Sequence, residues 1–340
     1  MGSAFFFYLG TLVVFFFINN ILVWGLNIQF GYTGILNFAY IVFMAIGAYV
    51  AGTFSLPRPD AFSGQTYYFG FSWPFPLPLI AGGIVAALFG ILVGFIALKR
   101  LRSDYMAIVT VAVAGITYDV IGNYFPIFNG WDGLAGVPAP YQTTLNHAFG
   151  INYNEYQFVF LGIAGVIMLI MWFVANRIYH SPFGRTLRSI REDMDVSDSF
   201  GKNTFFYRMA AMAIGCFYAG VGGALTIEFI SAFNPSGWTT GETFILFAAL
   251  IIGGRANNWG ALLGALLVPV VFQEATRFLP QFTSNPDLIP ALRNVLVGGL
   301  LILTLWVRPQ GIIPERKARF FEIPLGKAEN KEDEASAATY

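Results

Sequence analysis

Residues 77–98, LPLIAGGIVAALFGILVGFIAL, run for 22 positions without one charged side chain. A hydrocarbon core about 30 Å thick takes roughly 20 such residues as a helix. Lipid offers no partner to backbone N–H and C=O groups, so a chain crossing it must satisfy them within its own segments. Runs of this kind recur along the 340 residues, and the sequence predicts an all-α polytopic membrane protein of about 8–10 transmembrane helices. Composition agrees. Apolar residues make up 56%, charged residues 11%, and mean hydropathy is +0.63, whereas soluble domains are roughly one quarter charged.

Hydropathy places spans near Phe5–Trp24, Ile35–Phe54, Leu77–Leu98, Tyr105–Phe125 and Tyr156–Arg177, then Phe205–Ile230, Thr243–Gly254, Trp259–Thr276 and Leu292–Val307. The first lacks a basic leader and a small-residue cleavage site, and reads as a retained span rather than a signal peptide. The seventh is short and runs into Gly253-Gly254, as a broken or half-spanning segment would. Alternating these spans puts most basic residues on one side. Of the 19 Lys and Arg, only Arg58, Arg277 and Arg293 fall on the other, a strong positive-inside bias. The N-terminus is then external, unless Gly25–Gly34 is re-entrant. Residues 1–314 read as one transmembrane unit with a cytoplasmic loop at 180–203, and 315–340 as a charged tail.

That loop contains SPFGRTLRSIREDMDVSDSFGK (181–202), with eight charges in 22 residues. Burying them would cost on the order of 20 kcal/mol on the insertion scale, so the stretch leaves the bilayer. Ser181 can cap a helix whose first residue is Pro182. Phe183, Leu187, Ile190 and Met194 form an apolar stripe, with Arg185, Arg188 and Arg191 beside it. Asp195 can start a second short helix that Gly201 ends. Two readings fit: a helix lying on the membrane surface, or a ridge that docks into a groove on a cytoplasmic partner.

Elsewhere the residues allow structural and functional roles side by side. Gly31 and Gly34 flank Tyr32-Thr33 in a segment interrupted by Asn27 and Gln29, which suits a packing kink or a broken helix lining a polar path. Asn19, Asn20, Asn27 and Asn37 are costly in hydrocarbon and should face the interior, as interhelical hydrogen bonds or pathway groups. Gly90/Gly94, Gly260/Gly264 and the Gly220, Gly222, Gly223 cluster read as close helix contacts. Asp119, Glu228, Glu242 and Glu274 sit near predicted helix ends, which suits interfacial positions better than proton carriage. Two His and the single Cys216 give no metal cluster or disulfide, and no basic face with interleaved aromatics suggests nucleic acid. SFGKN lacks the glycine and the Ser/Thr of a phosphate-binding loop, so any ATP hydrolysis resides on another chain. A stand-alone secondary transporter or channel would need charges well inside its spans, and these are scarce.

The charged loop resembles the coupling loop of branched-chain amino-acid ABC-transporter permeases, LivM-type. GLNIQFGYTGILNFAYIVFMAIGAYVAG (25–52), GFIALKRLRSDYMAIVTVAVAGI (94–116), NGWDGLAGVP (129–138), AGVGGAL (219–225), IIGGRANNWGALLGALL (251–267) and RPQGIIP (308–314) resemble the same family in order. The resemblance implies a non-catalytic permease subunit in a prokaryotic cell membrane, forming half of a translocation pathway. It implies a LivH-type second permease, two ATPase subunits that hold the ATP and magnesium, and an extracytoplasmic binding protein. It assigns coupling to Phe183, Gly184, Arg185, Leu187, Arg188, Ile190, Arg191 and Glu192, and makes Asn27, Gly31, Tyr32, Gly34 and Asn37 candidates for the path. The substrate would be a branched-chain or other hydrophobic amino acid, with urea or a short amide as the alternative.

Overall fold

The computed structural model describes residues 2–59, 64–100, 103–150, 153–277 and 288–315. The expected tail beyond Glu315 lies outside the described residues. The helices are α1 (Gly2–Leu26), α2 (Tyr40–Ser55), α3 (Leu77–Arg100), α4 (Ser103–Asn123), α5 (Phe125–Phe128), α6 (Gln142–Phe149) and α7 (Tyr153–His180). They continue as α8 (Pro182–Glu192), α9 (Met194–Ser199), α10 (Thr204–Ile230), α11 (Thr240–Gly253), α12 (Asn258–Leu266), α13 (Gln273–Arg277) and α14 (Leu288–Val307). Among the described residues, 7 helical segments are long and apolar enough to cross a membrane, and α2 and residues 295–307 of α14 are shorter apolar helices. The protein is an all-α polytopic membrane protein.

The middle of the bundle is α10, with α2 and α3 along one side and α1 along the other. Against α1 also lie α7, α12 and α11, and α14 packs on α11. Glycines set this order, because removing the side chain lets helix backbones touch. A Cβ on Gly47 would overlap the Gly220 backbone, and one on Gly223 would overlap the Met44 carbonyl. Gly90 faces Cys216, Gly94 faces Met209, and Gly260 and Gly264 lie against the backbone of Gly253 and Ala249. Close packing, expected for these glycines, is what the structure shows.

Several boundaries move for local reasons. The second span starts at Tyr40 rather than Ile35, because α1 continues past Trp24 into a π-helical turn, Asn27–Tyr32. The chain then turns at Gly34, whose φ of 71° is the left-handed region that disfavours a side chain. Residues 25–34 are therefore not re-entrant: α1 crosses the bundle once. The eighth span is α12 interrupted by a second π-helical segment, Leu267–Phe272, around Pro269, which lacks the N–H an α-helix needs there. The seventh, α11, is 14 residues long and stops at Gly254.

At the bundle end carrying the α1 N-terminus, two short strands, β1 (Leu134–Ala135) and β2 (Ala232–Phe233), pair antiparallel. They tie the 129–138 loop to the turn after α10. Gly133, at φ 69°, is needed there, since a Cβ would overlap the Phe233 carbonyl. The 181–202 loop, the π-helical end of α1 and residues 308–315 gather at the opposite end.

Candidate coupling site

The charged loop folds as two helices. Ser181 caps α8 by accepting from the Gly184 N–H at 3.1 Å, and Pro182 is its first residue. Asp193 caps α9 by accepting from Val196 N–H at 2.9 Å, two positions before the Asp195 start expected from sequence, and Gly201 follows in the left-handed conformation.

The apolar stripe of α8 faces the chain itself. Leu187 is 0% and Ile190 4% exposed, and Phe183 packs on the Tyr207 ring with centroids 5.5 Å apart. Gly184 is pressed against the Ile178 carbonyl, which leaves no room for a side chain. Arg188 lies 4.5 Å over the Tyr179 ring and donates to the Tyr179 carbonyl at 3.3 Å. Met194, expected in the stripe, instead begins α9 and faces solvent with Arg185, Glu192, Val196 and Phe200, the last 80% exposed. Periodicity identified the stripe but could not identify which surface covers it.

Arg191 reaches in the other direction. Its Nη1 donates to the Gly31 carbonyl at 2.5 Å, and its Nη2 pairs with Glu315 at 2.7 Å. A π-helical turn and the chain beyond it leave carbonyls without helical partners, and the guanidinium fork takes one. The loop is thereby bonded to the π-helical end of α1 and to the end of the transmembrane unit. Gly34 lies alongside, 3.4 Å from the Arg191 Cγ if it carried a Cβ.

The π-helical turn is held from inside by buried amides. Asn27 donates to Asn258 Oδ1 at 3.3 Å and accepts from the Ala256 N–H at 2.8 Å. The Tyr32 hydroxyl donates to the same Asn258 oxygen at 2.6 Å, and the Trp24 indole donates to the Asn258 carbonyl at 3.0 Å. A Cβ on Gly31 would overlap the Asn27 Oδ1. Asn37 donates to Gln29 at 2.9 Å, and Gln29 donates to the Met212 carbonyl of α10 at 3.0 Å. Asn27, Gly31 and Tyr32 thus meet the α11–α12 turn, whereas Asn37 belongs to a separate link with α10. Asn258 and Gln29, not among the sequence candidates, are the hubs of these two networks. Their signal was polarity within otherwise apolar segments, NIQFGY and GGRANNWG.

The turn after α11 completes the junction. Ile312 and Ile313 N–H groups donate to the Ile252 and Gly253 carbonyls at 2.8 and 3.0 Å, and Asn257 donates to the Pro314 carbonyl at 3.0 Å. The charged helix pair, the π-helical end of α1, the α11–α12 turn and residues 308–315 are thus bonded into one junction. The family profile described as "Branched-chain amino acid transport system / permease component" matches residues 8–305. The chain belongs to this family.

The permease is 29% identical over 324 residues to the high-affinity branched-chain amino acid permease protein LivM of Salmonella typhimurium, covering 91% of this chain and 70% of that one. It is 25% identical over 295 residues to the LivH permease protein of Escherichia coli, covering 85% and 89%. It is 28% identical over 242 residues to the nucleoside ABC transporter permease protein NupC of Lactococcus lactis, covering 69% and 71%. No solved structure matches. The permease is a multi-pass protein of a prokaryotic inner membrane and a permease subunit of an ABC importer. Similarity to both LivM and LivH indicates a permease pair in such a transporter.

Proposed function

We propose that this permease carries branched-chain or other hydrophobic amino acids, sharing its pathway with a LivH-type partner. Two ABC ATPase subunits, which hold ATP and magnesium, drive it, and an extracytoplasmic binding protein delivers the substrate. This chain supplies no catalytic residue and no cofactor. Residues 181–202 are its coupling element. The observation that carries this reading is the Arg191 bridge: the charged helix pair holds the π-helical end of α1 through the Gly31 carbonyl. A push on the exposed face of α8 and α9 reaches that turn directly, and the Asn27–Tyr32–Asn258 network passes it to α12. In this reading Asn27, Gly31, Tyr32, Gly34 and Asn37 lie at the moving cytoplasmic end of the path.

Reconstituting the complete complex in liposomes tests the reading. Labelled leucine should accumulate in an ATP-dependent way, and urea and a nucleoside should not compete. The similarity to a nucleoside permease makes the last comparison necessary. Uptake of urea or nucleoside with no leucine uptake would overturn the substrate assignment, and uptake by this chain alone without ATP would overturn the assembly.

A further inference from the structure

Arg208 lies in the second turn of α10 and is only 6% exposed. A guanidinium does not lose its charge in a protein, and a buried charge is costly unless an anion and hydrogen bonds compensate it. Its Nη1 donates to the Met194 thioether at 3.3 Å, a weak acceptor, and among the described residues no carboxylate pairs with it. The acids of the neighbouring helix pair that could serve are engaged elsewhere. Asp193 caps α9 through the Val196 N–H, and Asp198 accepts from the Thr204 N–H and hydroxyl. Arg191, by contrast, has both the Gly31 carbonyl and Glu315.

The unused donors of Arg208 are within reach from outside. Among the described residues its Nε and Nη2 have no partner, yet neither is sealed from solvent. Its Nη1 ends on Met194, which is 41% exposed and shares the outer face of the helix pair with Val196 and Phe200. The charge therefore sits one side chain beneath that face. The other open side of α10 carries Phe206, 62% exposed and about 200° around the helix from Arg208. An anion reaching Arg208 comes past Met194 rather than from the side of Phe206. A planar, desolvated guanidinium under an apolar rim suits an interface ion pair, where it binds a carboxylate through two parallel bonds.

We propose that Arg208 receives a carboxylate of the ATPase, which completes the ion pair that the permease alone lacks. The proposal rests on the reading of residues 181–202 as the element that meets the ATPase. It adds a residue outside that stretch and the chemistry of the group it takes.

The test is ATPase binding to the full-length permease with its second permease in nanodiscs of zwitterionic lipid, with melting followed in parallel. Arg208→Met should weaken binding at least tenfold, as truncating one member of a buried charge pair does, and should flatten its dependence on salt. Arg208→Lys should bind more tightly than Arg208→Met. Without ATPase, the melting temperature of Arg208→Met should not fall, because no carboxylate of the permease loses a partner. Unchanged binding overturns the proposal, and so does a lower melting temperature in an assembled variant, which marks an internal role. A loss that appears only with phosphatidylglycerol in the nanodisc assigns the anion to lipid and overturns it as well. If Arg208→Met does not assemble, acids of the ATPase are neutralised one at a time against the unaltered permease; no tenfold loss from any of them overturns the proposal. Phe200→Ala separates the two readings: binding weakened by Phe200→Ala but not by Arg208→Met removes the ion pair and leaves the docking face standing.

Discussion

Arg191 is the residue on which the coupling proposal turns, and its two bonds are replaceable one at a time. Arg191→Ala removes both and leaves the Gly31 carbonyl bare, a loss of about 2 kcal/mol for hydrogen bonds to a charged group. The expected outcome is an assembled complex whose substrate-stimulated ATP hydrolysis falls several-fold. Arg191→Lys should recover only part, since a lysine cannot span both partners as a planar fork. Stimulation unchanged in Arg191→Ala would separate the bridge from coupling. Gly34 gives a second residue-scale prediction. Its φ of 71° makes any larger residue cost about 1–2 kcal/mol, and a leucine Cβ would touch the Arg191 stem. Gly34→Leu should block uptake more than it reduces assembly, measured by transport per mole of purified complex. Asn27 and Tyr32 could be picked out from sequence because amides and hydroxyls in an apolar run demand an explanation. That both converge on Asn258 could not, because 226 or more positions separate the partners.

At the scale of elements, α8 and α9 act as a pair with an inner and an outer face. Leu187 is fully buried on the inner face, so Leu187→Ala should destabilise the seating of α8 by about 2–5 kcal/mol. Phe200 and Val196 belong to the outer face, where truncation leaves the permease fold untouched. If that face meets an ATPase, Phe200→Ala should cost about 2 kcal/mol of association, roughly thirtyfold, with no change in permease thermal stability. Co-purification of the ATPase alongside a melting curve tells the two faces apart; a melting-point drop for Phe200→Ala would contradict the assignment. The helix pair itself was legible: Ser181, Pro182 and Gly201 mark its ends as the sequence predicts. Its orientation was not, because an amphipathic stripe fits a neighbouring helix, a lipid surface and a partner groove equally well. The start of α2 was illegible for a related reason. Ile35, Leu36, Phe38 and Ala39 are as apolar as a span, but the left-handed turn at Gly34 precedes them, and Asn37 Oδ1 and Thr110 Oγ1 accept from the Ala39 and Phe38 N–H groups just before α2.

For the whole molecule, the two ends of the bundle differ in what they carry. Arg191 pairs with Glu315, which places the 181–202 loop and the exit of the last helix at the same end, as the distribution of basic residues predicts. Cysteines at Ser189 and Ala338 should both resist impermeant reagents applied outside intact cells, and Cys216, buried in α10, should contribute no background. Labelling of either from outside would refute the arrangement. The two π-helical turns, in α1 and after α12, bear on how this architecture tolerates change in length. Each is an α-helix with one surplus residue looped into it. Deleting one residue from 27–32 would let the turn relax into ordinary helix, but everything on the N-terminal side would swing by about 100°. The Trp24 indole would leave the Asn258 carbonyl, and Phe15 would turn away from the Phe229 ring of α10. One surplus residue near one face of the membrane thus fixes the rotational phase of a helix at the other.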